Sequence, residues 1–73
     1  MAERINAGYT IIETVRIADD LEVVLGKNAT SFGDVYVTWQ CGNGSDYFWG
    51  HYFKCDYAAA RKDLFRRAID LIS

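Results

Sequence analysis

An Asn-Gly pair between two runs of β-branched and aromatic residues constrains this chain more than any other feature in it. Residues 35–42 (VYVTWQCG) and 45–55 (SDYFWGHYFKC) read as strands, and Asn43-Gly44 joins them. Asn and Gly tolerate the two consecutive positive φ values that a two-residue hairpin turn requires. Such a turn sets Gly42 opposite Ser45, then pairs Gln40 with Tyr47, Trp39 with Phe48, Thr38 with Trp49, Val37 with Gly50 and Tyr36 with His51. Side chains alternate across a strand, so one face carries Val35, Val37, Trp39, Cys41, Phe48, Gly50 and Tyr52. The other carries Tyr36, Thr38, Gln40, Tyr47, Trp49, His51 and Phe53. The first is expected to form the core beneath a helix, with Gly50 opposite Val37 giving that helix room to approach. A slip of one residue would exchange the two faces.

The rest of the chain supplies the partners for this hairpin. Residues 1–8 are expected to make a short helical turn stopped by Gly8. Residues 9–17 (YTIIETVRI) and 21–25 (LEVVL) are strand-like. A three-residue loop between them sets Ile17 against Leu21, Val15 against Val23 and Arg16 against Glu22. That register gathers the apolar residues on one face and makes a charge pair on the other. Residues 26–34 (GKNATSFGD) read as a long polar loop. Neither Asn28-Ala29-Thr30 as a glycosylation acceptor nor Gly26-Lys27 as a phosphate loop has the context such motifs need. Residues 56–73 read as a helix with Asp56 as its N-cap. Tyr57, Ala60, Leu64, Phe65, Ala68, Leu71 and Ile72 share one arc at 100° per residue. Lys62, Asp63, Arg66, Arg67 and Asp70 fall opposite, with Asp63–Arg67 and Arg66–Asp70 spaced for i,i+4 pairs. The expected fold is α+β, a single domain over residues 1–73. It is a four-stranded antiparallel meander with one C-terminal helix across one face.

Charge and cysteine content narrow the functional classes. The net charge is −2, and basic residues outnumber acidic ones only in the final helical segment. Such a balance gives little long-range attraction to a phosphate backbone and disfavours nucleic acid as a partner. Cys41 lies beside the expected turn and Cys55 at the far end of the next strand, roughly 20 Å or more apart at about 3.3 Å per residue. No disulfide between Cys41 and Cys55 is expected, and free thiols accord with a cytoplasmic setting. No apolar run approaches the ~20 residues of a membrane span.

Two groups of residues stand out. Arg61 projects from the apolar arc of the helix, and Glu13 interrupts the apolar row Tyr9, Ile11, Val15, Ile17. A charge on a core face must be paired or reach water, so a structural ion pair between Glu13 and Arg61 is expected. The second group is the aromatic row Tyr36, Tyr47, Trp49, His51 and Phe53, left uncovered once the helix takes the opposite face. An apolar patch of that size suits dimerisation or a partner protein, for which Trp and Tyr are favoured anchors. Bases stacking on the same rings is the rival use. His51, the only histidine, would make such a surface pH-sensitive. Cys41, His51 and Cys55 lack a fourth ligand and the local spacing of a zinc site, and no catalytic set is apparent. The expectation is a non-enzymatic interaction module without metal or cofactor, binding another protein or a second copy of itself.

Overall fold

The computed structural model describes residues 4–72. Five antiparallel strands run in sequence order: β1 (Ile5–Asn6), β2 (Tyr9–Ala18), β3 (Leu21–Thr30), β4 (Gly33–Gly42) and β5 (Asp46–Phe53). They are followed by α1 (Tyr57–Ile72), giving an α+β fold whose sheet curls into a half-barrel. The additional strand replaces the helical turn expected over residues 1–8, of which residues 1–3 lie outside the described part. Ile5 pairs with Thr10 and Asn6 with Tyr9. The reversal falls on Ala7 and Gly8, whose φ values of 53° and 84° suit a tight turn rather than a helix end.

The polar stretch over residues 26–34 is not a loop. β3 and β4 pair without interruption from Leu21–Gly42 to Thr30–Gly33. Only Ser31 and Phe32 make the turn, where Thr30 Oγ1 donates to the Gly33 carbonyl at 2.6 Å and accepts from the Phe32 amide at 3.2 Å. The end of this hairpin is polar because solvent reaches its tip, not because it lacks regular structure.

Two irregularities in β2 alter its expected register. Val15 pairs with Val23 and Arg16 with Glu22 as the apolar pattern requires, but Leu21 meets Ala18 across a bulge rather than Ile17. A second bulge falls between Ile11 and Glu13. It moves Tyr9 and Ile11 to the face opposite Val15 and Ile17, so the row that looks continuous in the sequence is divided between two cores. Glu22 turns to Arg4 at 3.1 Å instead of Arg16.

Both faces of the sheet are buried. On one, Val23 and Leu25 pack against Ala60, Leu64 and Ala68 of α1, flanked by Val15, Ile17, Tyr36 and Phe53. On the other, Val24, Val37, Trp39 and Cys41 are buried with no helix above them. Tyr9, Ile11 and Tyr47 cover them. Strands β2 and β5 are separated by two others, which in a flat sheet puts them about 14 Å apart. The Tyr9 and Tyr52 ring centroids nevertheless lie 6.4 Å apart, so the curl closes over Trp39. Arg4 completes the seal, its Nη2 donating to Tyr47 Oη at 3.1 Å. Burial raises the Cys41 thiol above its usual value, with Arg4 opposing, which makes it a core filler. Both cysteines are free.

Asp56 caps α1 as expected, its Oδ1 accepting from the Ala59 amide at 3.0 Å. The buried stripe of α1 is rotated from the apolar arc: Asp63 is buried, while Phe65 and Ile72 are exposed. Neither i,i+4 pair forms; Asp63 pairs with Arg66 instead. Among the described residues no helix is long and apolar enough to cross a membrane.

Gly26 sits where the second core leaves little room for a side chain. A Cβ there would meet Tyr9 Cβ at 3.0 Å and Trp39 and Val37 side-chain carbons at 3.3 Å. Gly26→Ala is expected to destabilise the fold by about 1–3 kcal/mol through overpacking, measured by urea denaturation.

Candidate functional site at the β5 bulge

The Asn43-Gly44 turn forms, with φ values of 53° and 77° and the Ser45 amide donating to the Gly42 carbonyl at 3.2 Å. The ladder beyond it is offset by one: Gly42 pairs with Asp46, Cys41 with Tyr47 and Gln40 with Phe48. A bulge then places Trp49 and Gly50 together opposite Trp39, after which Thr38 meets His51, Val37 meets Tyr52 and Tyr36 meets Phe53. Each extra residue reverses the parity of the strand beyond it. The helix covers the Tyr36–Thr38–Gln40 face rather than the expected Val37–Trp39–Cys41 face, which is sealed by the curl.

The expected aromatic row is consequently dispersed. Tyr36 and Phe53 are half-buried against the helix, with the Tyr36 and Tyr57 centroids 5.2 Å apart. Tyr47 lies on the opposite face, its ring centroid 5.6 Å from that of Trp39. Trp49 is 70% exposed and makes a T-shaped contact with Phe48 at 4.9 Å. Gly50 makes room for the Trp39 indole rather than for the helix; a Cβ there would stand 2.8 Å from Trp39 Nε1.

His51 is the residue that the bulge re-aims. Its Nδ1 lies 2.9 Å from Asp63 Oδ2, the same oxygen that accepts from Thr38 Oγ1 at 2.6 Å. Asp63 Oδ1 accepts from Arg66 Nη2 at 2.9 Å. Arg67 reaches behind to donate to the Thr38 carbonyl at 3.1 Å and its Oγ1 at 3.2 Å. Asp63 is only 7% exposed and is the one buried charged side chain among the described residues. Burial favours the protonated carboxyl, but hydrogen bonds from Thr38 and His51, with the nearby charges of His51 and Arg67, outweigh it. They hold the Asp63 carboxyl below the ordinary value. An ionised carboxylate only accepts, so His51 presents Nδ1–H to it and turns Nε2 outward.

At the other flank of the helix the structure brings Glu13 and Arg61 together, Oε1 to Nε at 3.0 Å. Tyr57 also donates to Glu13, which raises its phenol above the ordinary value. The Arg61 guanidinium lies over the Tyr57 and Phe65 rings at 5.9 and 5.3 Å.

Helical periodicity alone places Asp63 on the solvent side, and the expected hairpin, though it sets His51 on the Thr38 face, assigns the helix to the opposite one. The remaining signal is Thr38, a polar residue mid-strand between Val37 and Trp39, which announces a polar partner on the facing element. No family model matches the chain, and no curated protein or solved structure shows detectable similarity to it.

Stability should respond at two positions of this site. Asp63 titrates lower in the folded chain than its unfolded value of about 3.9, so its contribution is fully present above that pH and is lost as pH falls through the folded value. Asp63→Asn should cost about 1–3 kcal/mol at pH 7, and its deficit against wild type should narrow below about pH 4 in chemical denaturation. At position 49, where φ is +55°, glycine is favoured over any L residue. Trp49→Gly should therefore be more stable than Trp49→Ala by about 1 kcal/mol.

Proposed function

We propose that this protein is a small non-enzymatic interaction module that docks a partner protein through Trp49. The observation that carries the reading is an indole left 70% exposed on a backbone at φ +55°. Left-handed backbone costs an L residue about 1–2 kcal/mol, and such strain gathers at working surfaces. A large rigid aromatic held out from the sheet is the side chain most often found as an interface hot spot. Phe48 at 4.9 Å fixes its orientation, reducing the entropy lost when a partner's apolar pocket closes around it. Base stacking on the five residues of the expected row has less support. Tyr36 and Phe53 lie against the helix and Tyr47 on the far face, leaving no row of parallel rings for successive bases.

Trp49→Gly is the informative variant, because it removes the anchor while easing the backbone. Affinity capture from native lysate, with sedimentation of the purified protein across concentrations, should show a partner or a self-associated species that wild type retains and Trp49→Gly loses. Equal recovery of every partner and equal masses for both proteins would dispose of the reading.

A further inference from the structure

Two shallow depressions border the Asp63 network on its solvent side. One, of about 400 Å³, is lined by His51, Tyr52, Phe53, Lys62, Asp63 and Arg66. The other, of about 230 Å³, shares His51 and Arg66 and extends toward Arg67 and Asp70. Both Asp63 oxygens are already engaged, by Thr38, His51 and Arg66. Lys62, Arg66 and His51 line the larger depression beside Asp63. Lys62 belongs to none of the ion pairs among the described residues.

We propose that the larger depression binds a phosphate monoester carried on a small organic ligand. Two cationic side chains of α1, Lys62 and Arg66, and the His51 imidazole of β5 line it together. A carboxylate has two oxygens and one charge to offer them; a phosphate monoester has three terminal oxygens and nearly two charges. Phe53 supplies an apolar wall for the organic part. The depression holds a single phosphate, and the chain as a whole is acidic, so an extended polyanion has no track to follow. His51 brings an imidazole to the lining from β5. The charged groups around it are Lys62, Asp63, Arg66, Arg67 and Asp70, all on α1. Strand β4 contributes only the uncharged Thr38 and Gln40.

The test is titration of the full chain with phenyl phosphate, inorganic phosphate and benzoate, followed by NMR at the His51 imidazole. Phenyl phosphate should give saturable shifts and bind more tightly than either control. Lys62→Ala, which breaks no hydrogen bond or ion pair among the described residues, should weaken phenyl phosphate about tenfold, the loss of one charge-assisted hydrogen bond. Trp49→Gly should leave binding unchanged, separating this site from the docking surface. The absence of saturable shifts, benzoate or inorganic phosphate matching phenyl phosphate, or full affinity in Lys62→Ala would each overturn the assignment.

Discussion

A carboxylate withdrawn from water at the sheet–helix boundary sets terms for everything around it. Left alone, the Asp63 charge would cost several kcal/mol or be neutralised by a proton. It is instead met by a hydroxyl from β4, an imidazole from β5 and a guanidinium from its own helix. Two of these partners come from separate strands, which fixes the rotation and height of the helix on the sheet. Apolar contacts alone would not impose this. Ala60, Leu64 and Ala68 are small or flexible enough to pack at several rotations, and the more strongly apolar arc through Phe65 and Ile72 would have been the greasier choice. The network explains why the helix turns that arc partly to solvent.

The same network requires a particular parity in β5. With the ladder running Cys41–Tyr47 and Gln40–Phe48 and no irregularity, Gly50 would face the helix and His51 the curl. One extra residue opposite Trp39 reverses this and delivers His51 to Asp63. An equivalent device in β2, between Ile11 and Glu13, sends Tyr9 to the curl while keeping Glu13 beside Arg61 and Tyr57. A chain of 73 residues thereby buries apolar side chains on both faces of one sheet with one helix to cover them. Small domains are short of buried area, and the curl makes up much of that shortage.

Legibility in the sequence depends on which signals have a period. The terminal helix and its Asp56 cap, the Asn43-Gly44 turn and the Val15–Val23 register all rest on local patterns that the structure retains. The bulges carry no such signature. In β5, residues 46–53 (DYFWGHYF) put aromatics at both parities, so the hydrophobic pattern is blind to a shift of one. The polar end of β3 resembles a loop for the converse reason: it pairs fully with β4 but projects where side chains face water on both sides. Glu13 is visible because a charge among Ile and Val is anomalous wherever it falls. Asp63 is hidden because it borders a run of charged helix residues, where one more carboxylate draws no notice.

The position of the β5 bulge is itself determined by a steric argument. Two consecutive residues must face Trp39, and its indole leaves no space for a side chain on the second. Any Cβ at position 50 would lie 2.8 Å from Nε1, so glycine is the one residue that fits. The left-handed turn of the bulge then falls on the residue before it, which is tryptophan, with φ at +55°. A glycine at position 49 would have made the same bulge without strain. The fold's own requirements therefore account for Gly50 and for the re-aimed His51, but not for an indole at position 49. That side chain lies against Phe48 outside both cores and does not ease the turn, so its strain is the observation on which the docking proposal rests.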